Sequence, residues 1–402
     1  MSNTLASSQE SAIATAIADA AAAAEPVLVC GNGTKTSMLR PVQAARSVST
    51  RAHAGITLYA PRELVISARA GTPVAELEAT LAEQGQRLIS EPPDLAGLLH
   101  APDRSQTIGG IVATNLSGPR RVAWGATRDH VLGLRAVTGW GRVIHSGGRV
   151  LKNVTGLDLC KLLSGSHGTL GIITEVTLKV LPAPEATGTL VVPGLDPADG
   201  VAALAAGLGS PFSVSAAAWL PREAAARVPE LSAFDRSVAL LRIEDFARSV
   251  AYRTEKLRDT LALPQVEILD DRASRLVWRA VRDAVPLITE ADDAVWRVSV
   301  RPSAGPRVLD AAAKVGLRGY LDWGGGLVWL AGPAEAAAHH AVEAAARAAH
   351  GTWMLLRGPD ALRAAVHVVP PEPPPLAAIT RRVKAAFDPH GVLNPGRIYA
   401  GL

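Results

Sequence analysis

The sequence has very few cysteines. Cys30 and Cys160 are the two cysteines among 402 residues, and no C-x-x-C pair occurs. Without such pairs the chain shows neither a disulfide framework nor the thiolate sets that bind zinc or an iron–sulfur cluster. A redox protein with this sequence would therefore carry no second redox centre and would need an external outlet for its electrons.

Long basic runs and long apolar runs are also missing. The net charge of +4 is spread along the chain, and this disfavours nucleic-acid binding because a grip on phosphates needs clustered charge. Residues 12–24 are alanine-rich, but Asp19 interrupts them, they are too short to span a bilayer, and they lack the basic start of a signal peptide. We expect a cytoplasmic chain without a transmembrane segment, whose attachment to the inner membrane would be made through partner proteins.

The composition is that of a globular protein with several domains. Hydrophobic residues make up 48% and charged residues 19% of the sequence, which is enough for packed cores in two to three domains. Proline-rich stretches at 182–184 and 370–375 indicate boundaries. We predict an N-terminal helical segment (1–25), a cofactor domain (26–182), an α+β domain (183–370) and a C-terminal helix and tail (371–402).

A glycine-rich turn follows the first predicted strand. Val27–Val29 is apolar and leads into CGNGTKTSM, where exposed amides and Lys35 would form a nest for a pyrophosphate. The spacing is not that of a Walker loop, and Thr36 stands where G-x-G-x-x-G needs its third glycine. A nicotinamide-binding Rossmann domain is therefore disfavoured. A hairpin turn without a ligand remains the alternative interpretation.

Two further glycine-bearing segments lie between Ala101 and Val180. The first is Thr107–Gly110, where the chain can approach a flat or anionic ligand while Ile111 anchors it in a core. The second is Gly165–Gly171, which leads into the alternating strand Ile172–Val180. Three such bends at strand ends of one α/β framework predict the wall of a dinucleotide site, and we take the ligand to be FAD.

These motifs resemble a known family. TIGGIVATNLSGPRR, GGRVLKNVTGLDLCKLLSGSHGTLGIITEVTLK and the tail AFDPHGVLNPGR are similar to segments of the vanillyl-alcohol oxidase, or PCMH-type, FAD flavoproteins. The resemblance implies an α+β fold, in which a two-subdomain FAD-binding domain precedes a smaller α+β cap domain with an antiparallel sheet. Within the family, GNGTK and SGPRR…GATRDHVLG are most similar to the second flavin subunits of bacterial glycolate oxidases.

The resemblance also implies which residues hold the cofactor. The loop Gly31–Thr36 would line the pyrophosphate of FAD. The segment 102–118 would contact the pyrophosphate, the ribityl chain and the flavin, and the segment 165–173 would hold the adenosine half. One residue of the tail would lie near the flavin. The implied cofactor-binding residues are Gly31, Asn32, Gly33, Thr34, Lys35, Thr36, Pro102, Asp103, Thr107, Gly109, Gly110, Asn115, Ser117, Gly118, Gly165, Gly168, Thr169, Gly171, Ile172, Ile173 and Asn394. No histidine or cysteine stands where relatives attach flavin covalently, so non-covalent FAD is expected.

The chain departs from its catalytic relatives at one motif. Relatives that oxidise 2-hydroxy acids carry H-x-G-D-G-N-x-H, which supplies metal ligands and a base, whereas this sequence reads YLDWGGGL over 320–327. Asp322 is the one group there with a suitable proton affinity. No metal site is predicted.

Three other groups are candidates for substrate chemistry. Arg297 and Arg301 share one side of a predicted strand and could clamp a carboxylate, or they could pair with acidic residues at an exposed sheet edge. His390 is a candidate base near Asn394 in the tail, or a local hydrogen-bonding residue. The pair Arg120–Arg121 could contact a phosphate or an acidic partner. We name Arg297, His390 and Asp322 as candidate catalytic residues.

Together with the absent cluster cysteines and the missing histidine motif, the resemblance implies an FAD-binding subunit of a multi-subunit glycolate oxidase, or dehydrogenase, that oxidises glycolate, a 2-hydroxy acid, to glyoxylate. Its expected partners are a larger flavin subunit that carries the hydroxy-acid chemistry and an iron–sulfur subunit. Its own expected role is assembly and electron relay. The alternatives are a self-sufficient FAD-dependent 2-hydroxy-acid dehydrogenase and a structural subunit that has lost its flavin.

Overall fold

The computed structural model describes residues 3–6, 9–148 and 156–402. Its strands in chain order are β1 (Asn3–Ala6), β2 (Val27–Cys30), β3 (Arg46–Ser49), β4 (Ile56–Ala60), β5 (Val65–Arg69), β6 (Gln86–Leu88), β7 (Val131–Val137), β8 (Val143–Gly147), β9 (Ile172–Pro182), β10 (Ala186–Pro193), β11 (Ala216–Leu220), β12 (Val238–Asp245), β13 (Glu267–Leu269), β14 (Ala294–Ser299), β15 (Arg318–Asp322), β16 (Leu327–Gly332) and β17 (Thr352–Arg357). Its α-helices are α1 (Glu10–Ala22), α2 (Val74–Ala82), α3 (Ile108–Thr114), α4 (Arg121–Trp124), α5 (Leu159–Leu163), α6 (Pro197–Leu208), α7 (Arg222–Ala225), α8 (Ala247–Leu261), α9 (Asp271–Arg282), α10 (Gly305–Ala313), α11 (Ala336–Ala348), α12 (Asp360–Ala365) and α13 (Pro374–Phe387).

Contacts between residues divide the chain into two units. The first unit takes the described residues of Met1–Leu116, Ala126–Ala183 and Pro371–Leu402. The second takes Ser117–Gly125 and Pro184–Pro370. The segment Ser117–Gly125 thus groups with the second unit, although the sequence places it inside the predicted cofactor domain.

The first unit contains two sheets. Strands β1, β3 and β2 form a parallel sheet, and β4, β5, β9, β7 and β8 form an antiparallel one, with β6 added to β9. Helix α1 presents Ile13 and Ile17 on one face, as the i, i+4 spacing predicts, and both side chains are fully buried. They pack in one core with Val27 of β2 and Ile172 of β9. This core brings β2 close to the start of β9.

The C-terminal tail is fixed to the same place by a buried ion pair. Lys384 of α13 donates hydrogen bonds to Asp388 Oδ2 at 2.7 Å, to the Thr169 carbonyl at 2.7 Å and to the Leu393 carbonyl at 3.0 Å. The backbone N–H of Asn394 donates to the Val27 carbonyl at 3.0 Å. The residues after α13 therefore lie beside β2.

The second unit is built on one antiparallel sheet of eight strands. The order is β13-β10-β12-β11-β15-β16-β14-β17, and helices α6, α8, α9, α10 and α11 pack against it. Apolar side chains of the central strands are fully buried, for example Leu240 and Trp296. Together with the first unit, this sheet confirms the predicted α+β class.

Two local predictions were wrong. Thr107–Gly110, expected to be an open bend, is instead the start of helix α3. The predicted strand 294–301 ends at Ser299, so Arg301 lies exposed beyond it and does not share a strand with Arg297.

Candidate functional site

One pocket of the first unit is lined by all three glycine-bearing segments and by the tail. The lining residues are Val29, Cys30, Gly31, Asn32, Gly33, Thr34, Lys35, Thr36, Thr50, Thr107, Gly109, Gly110, Ala113, Thr114, His167, Gly168, Gly171, Ile172, Ile173, Asn394 and Arg397. Segments more than 350 residues apart in sequence thus meet at the ends of β2 and α3 and at the start of β9.

The loop Gly31–Thr36 is held by contacts on both sides. The Gly31 carbonyl accepts a hydrogen bond from the Ser49 hydroxyl at 2.7 Å, and the Asn32 side chain donates to the Ser105 carbonyl at 2.9 Å. A Cβ atom on Gly31 would lie 2.4 Å from Thr107 Oγ1, and Gly33 has a φ of +76°. These two positions therefore require glycine. The N–H groups of Gly31, Asn32 and Gly33 donate to no other described residue, so they can serve a ligand.

Lys35 places a positive charge inside the pocket. Its Nζ lies 3.2 Å from Thr34 Oγ1 and 3.3 Å from Gln106 Oε1, and the side chain is buried. Burial lowers the pKa of Lys35 to about 8, and the charge of Asp94 opposes this shift. Because both close contacts of the ammonium are neutral, an anionic ligand would restore its usual proton affinity.

Helix α3 supplies the second wall. Thr107 caps it, its Oγ1 accepting from the Gly110 N–H at 3.4 Å. A Cβ on Gly109 would lie 2.5 Å from the Cβ of Ala70, which shows that this glycine allows α3 to pack closely at the end of β5. Gly110 meets no such obstacle, since a Cβ there would approach only Thr107 Oγ1, at 3.3 Å. Of the two glycines, Gly109 thus serves packing and Gly110 leaves room in the pocket.

The loop before β9 and the tail form the third wall. The loop lies on the end of α3, because Gly165 N–H donates to the Val112 carbonyl at 3.0 Å and His167 N–H to the Ala113 carbonyl at 2.8 Å. The Asn394 side chain joins this loop to β2, accepting from Val29 N–H at 2.8 Å and donating to the His167 carbonyl at 2.8 Å. Asn394 therefore positions two walls of the pocket.

Two pocket residues with ring or guanidinium groups were missed by the sequence analysis. Arg397 is buried and donates to the Thr36 carbonyl at 2.9 Å and the Lys35 carbonyl at 2.7 Å, so it braces the glycine loop from the tail. Burial, and then the charge of Arg397, lower the pKa of His167 to about 3. A signal existed for both, since His167 interrupts a run of glycines and Arg397 ends the motif LNPGR.

The structure brings together two thirds of the predicted cofactor-binding residues. Those that line the pocket are Gly31, Asn32, Gly33, Thr34, Lys35, Thr36, Thr107, Gly109, Gly110, Gly168, Gly171, Ile172, Ile173 and Asn394. Those outside its lining are Pro102, Asp103, Asn115, Ser117, Gly118, Gly165 and Thr169. The pocket residues that the sequence analysis did not name are Val29, Cys30, Thr50, Ala113, Thr114, His167 and Arg397.

Several of the residues outside the lining have structural contacts. Asn115 ends α3 in a left-handed conformation, and its Oδ1 accepts from Arg128 N–H at 2.9 Å. The Thr169 carbonyl accepts from Lys384. Pro102 and Asp103 are exposed, and Ser117 and Gly118 belong to the second unit.

The donor set of the pocket suits FAD. Lys35 and Arg397 are basic, the amides of residues 31–33 are available, and no described lining residue is a carboxylate. Such a set favours an anionic group, and the pyrophosphate of FAD is one. The apolar side chains of Val29, Ile172 and Ile173 line the same pocket and suit the uncharged parts of a dinucleotide.

Of the candidate catalytic residues, Arg297 has the most unusual surroundings. It lies on β14 in the second unit, with its guanidinium carbon 4.9 Å from the Trp329 ring centre and 5.3 Å from that of Trp323. Its Nε is buried and finds no hydrogen-bond partner among the described residues. Burial, and then the charge of Arg121, lower the pKa of Arg297 to about 10. The alternative interpretation, in which Arg297 pairs with an acidic residue at an exposed sheet edge, is therefore not what the structure shows.

Asp322 and His390 are placed less favourably for chemistry. Asp322 is buried, and its Oδ1 accepts from Trp323 N–H at 2.7 Å at the start of a 3₁₀ turn. His390 is exposed in the first unit, with its ring 5.8 Å from that of Trp140, and it does not line the pocket. Their catalytic roles stay predictions.

Arg120 and Arg121 differ from one another. Arg120 forms two hydrogen bonds with Glu244, Nε to Oε2 at 3.1 Å and Nη2 to Oε1 at 2.6 Å, and Glu244 is buried. Arg120 is thus engaged by an acidic residue within the second unit, which favours neither a phosphate nor a partner as its contact. The guanidinium of Arg121 lies 4.6 Å from the Trp323 ring centre.

The described residues contain neither a metal-binding cluster nor a membrane-crossing helix. No group of three or more histidine, cysteine, aspartate or glutamate side chains in that part of the chain is arranged to hold a metal ion. No helix in the described ranges has the length and apolar character needed to cross a membrane.

Family models match both ends of the chain. Residues 4–147 match the model described as "FAD binding domain", and residues 372–398 match "FAD linked oxidases, C-terminal domain". The second match covers the tail that supplies Asn394 and Arg397 to the pocket.

Curated relatives and solved structures agree with these matches. The chain is 33% identical over 377 residues to the glycolate oxidase subunit GlcE of Escherichia coli (strain K12), which covers 94% of this chain and 93% of that protein. It is 44% identical over 108 residues to a D-lactate dehydrogenase of Anaerostipes hadrus, covering 26% of this chain and 23% of that protein. The glycolate oxidase subunit GlcD of Bacillus subtilis (strain 168) is 46% identical over 99 residues, or 24% of this chain and 21% of that protein.

The fold is shared with p-cresol methylhydroxylase, at a TM-score of 0.72 and 13% identity over 99% of this chain and 88% of that one. An alkyldihydroxyacetonephosphate synthase gives a TM-score of 0.68 at 17% identity over 98% of this chain and 76% of that one. The matched FAD-binding domain and the similarity to GlcE over nearly the whole chain show that the chain is an FAD-dependent oxidoreductase that belongs to the family of FAD-linked oxidases.

Proposed function

We propose that this chain is an FAD-binding subunit of a multi-subunit glycolate oxidase, which oxidises glycolate to glyoxylate. A larger flavin subunit would carry the hydroxy-acid chemistry, and an iron–sulfur subunit would take the electrons onward. This chain would contribute assembly and electron relay. FAD, when bound, accepts two electrons from a substrate or from a partner's flavin.

The observation that carries this proposal is the similarity to GlcE over nearly the whole chain, combined with an intact cofactor pocket. The 94% coverage spans both units. The amides of residues 31–33, which donate to no other described residue, and the buried Lys35 line this pocket together, and a subunit without flavin would have no use for such a set of donors.

The second unit supports a division of labour with a partner. At the position of the relatives' histidine motif, residues 323–325 form a 3₁₀ turn, and Asp322 accepts a hydrogen bond from the N–H that opens this turn. A general base must reach the proton that it removes, and an aspartate engaged in capping the turn is a poor one. The alcohol chemistry is therefore better placed in a partner subunit.

Arg297 is the group in the second unit that is best suited to bind a carboxylate. Its guanidinium contacts two tryptophan rings, and its Nε lacks a partner in the described part of the chain. A bidentate carboxylate would supply the missing acceptor. We propose that Arg297 gives this chain a residual binding site for the carboxylate of a 2-hydroxy acid, separate from the larger flavin subunit in which the chemical step takes place.

Non-covalent FAD binding is part of this proposal. Cys30 lines the pocket, but burial raises the pKa of its thiol. Because the thiolate is the nucleophile, a protonated Cys30 would not form a bond to the flavin. Denaturing the protein with acid should release all of the yellow colour into the supernatant, and colour retained in the pellet would contradict this part of the proposal.

The division of labour is tested by comparing the isolated chain with the reconstituted complex. We expect the chain expressed alone to bind FAD and to show almost no glycolate oxidation with a dye acceptor. Co-expression with the larger flavin subunit and the iron–sulfur subunit should yield a co-purifying complex that is active. The variant Arg297→Met should weaken the binding of glycolate to the isolated chain, with Arg301→Met, an exposed neighbour, as the matched control.

Two outcomes would contradict the proposal. Full turnover by the isolated chain would identify a self-sufficient 2-hydroxy-acid dehydrogenase. A complex with unchanged activity when this chain carries no FAD would leave it a structural role only.

A further inference from the structure

The backbone of His167 is fixed from two sides of the cofactor pocket. Its N–H donates to the Ala113 carbonyl of α3 at 2.8 Å, and its carbonyl accepts from the Asn394 side chain at 2.8 Å. Its φ of +53° is left-handed, like those of Gly165 and Gly168 beside it. Glycine would adopt this conformation with less strain, so the histidine side chain is retained at a position that disfavours it.

The imidazole of His167 faces the pocket without a protein partner. The residue lines the pocket, and its ring makes no hydrogen bond with another described residue. Burial, and then the charge of Arg397, lower the pKa of His167 to about 3, which keeps the ring neutral at physiological pH. A neutral imidazole has one N–H donor and one acceptor nitrogen. Because neither ring nitrogen is engaged by another described residue, both are available to a ligand in the pocket.

The surroundings of the ring indicate which part of the ligand it meets. Arg397 is close enough to act on the His167 ring by its charge, and its guanidinium is bound to the carbonyls of Lys35 and Thr36. His167 therefore shares one pocket with the loop whose free amides and Lys35 suit a pyrophosphate. No described residue of the pocket lining offers a carboxylate that could accept its proton instead.

We propose that His167 is a cofactor-binding residue whose neutral imidazole donates a hydrogen bond to the pyrophosphate of FAD. It acts beside Lys35, Arg397 and the amides of residues 31–33. A neutral donor in this place adds a hydrogen bond without adding a third positive charge, which Lys35 and Arg397 would repel. This assignment depends on FAD binding and is independent of which substrate the complex oxidises.

Equilibrium titration of the apo full-length chain with FAD tests the assignment. His167→Leu should weaken FAD binding by about 10- to 100-fold, the range for losing a hydrogen bond to a charged group. His167→Gln keeps a neutral N–H donor and should recover most of the affinity. ADP-ribose, which has the pyrophosphate and adenosine but no flavin, should lose affinity for His167→Leu by a similar factor. His350→Leu replaces an exposed histidine with a φ of +52° in the second unit and is the matched control, expected to bind FAD as the unaltered chain does.

A fourth variant separates binding from folding. His167→Gly removes the ring but suits the left-handed backbone, so its apo form should melt at or above the temperature of the unaltered chain and still bind FAD weakly. FAD affinity that is unchanged in both His167→Leu and His167→Gly would overturn the assignment. Weakened FAD binding with unchanged ADP-ribose binding would also overturn it, because the ring would then contact the flavin half.

Discussion

Replacing Lys35 with methionine tests the electrostatic reasoning about the pocket. The ammonium is buried with neutral contacts to Thr34 and Gln106, and burial lowers the pKa of Lys35 from its ordinary 10.5 to about 8 in the chain without ligand. A pyrophosphate beside it would return the pKa to its ordinary value. FAD binding above pH 8 must then take up a proton.

The size of the effect follows from these two pKa values. If binding restores the pKa from about 8 to 10.5, FAD affinity should fall about 25-fold between pH 7 and pH 9.5 by linkage. Lys35→Met has no such proton to gain, so its affinity should be nearly independent of pH over this range. At pH 7 the variant should bind FAD about 10- to 100-fold more weakly, since it lacks a charge-assisted hydrogen bond.

Stability of the apo chain should respond to pH in the opposite direction. The folded pKa lies below the unfolded one, so between pH 8 and 10.5 the unfolded chain binds more protons at Lys35. The free energy of unfolding should therefore gain about 3 kcal/mol from this residue as the pH rises through that window. Lys35→Met should not show this gain.

Calorimetric titration with FAD at several pH values measures how the FAD affinity depends on pH. Urea unfolding at the same pH values measures how the free energy of unfolding of the apo chain depends on pH. Lys161→Met, an exposed lysine of the first unit, is the control and should behave like the unaltered chain. A pH-independent FAD affinity in the unaltered chain, or equal slopes in Lys35→Met, would refute the assignment of Lys35 to the pyrophosphate.

Three further predictions concern the same unit. The pKa of His167 is about 3 in the folded chain against an ordinary 6.5, so its contribution to the stability of the apo chain is full above pH 6.5 and is lost as the pH falls. Urea unfolding should therefore show that, between pH 7 and pH 4, the free energy of unfolding of His167→Leu falls by about 3 kcal/mol less than that of the unaltered chain. Gly31→Ala puts a Cβ 2.4 Å from Thr107 Oγ1 and should weaken FAD binding at least about tenfold. Adding Thr107→Ala removes the clash and should restore part of the FAD affinity in a double-mutant cycle. Losses of affinity that simply add in the double variant would contradict the clash. Lys384→Met leaves Asp388 buried without its ion-pair partner and should lower the free energy of unfolding by about 3 kcal/mol. The double variant Lys384→Met/Asp388→Asn removes the unpaired charge and should be more stable than Lys384→Met alone. If it is not, the ion-pair argument fails.

The three glycine-bearing segments could be predicted because their chemistry is local. Gly31 and Gly33 follow an apolar strand, and an amide-rich turn there suits a phosphate wherever the rest of the chain runs. Strand Ile172–Pro182 showed its two-residue period directly, and helix Ala247–Leu261 its helical one. These elements confirmed the fold class.

What could not be predicted depends on partners distant in sequence. Arg397 braces the carbonyls of residues 35 and 36, more than 360 positions away, and no local pattern indicates such a contact. Arg120 was a candidate phosphate ligand until Glu244 appeared opposite it. The start of helix α3 was taken for a bend because its two glycines would allow close approach to a ligand. Gly109 instead packs against Ala70, and this tertiary contact outweighs the low helix propensity of glycine.

Hydrogen–deuterium exchange of the full-length chain with and without FAD tests the central claim most directly. If residues 31–36, 107–114 and 165–173 hold one FAD, binding of a single equivalent should slow amide exchange in all three segments together. Exchange that is unchanged in any one of the three, with FAD bound, would contradict the account.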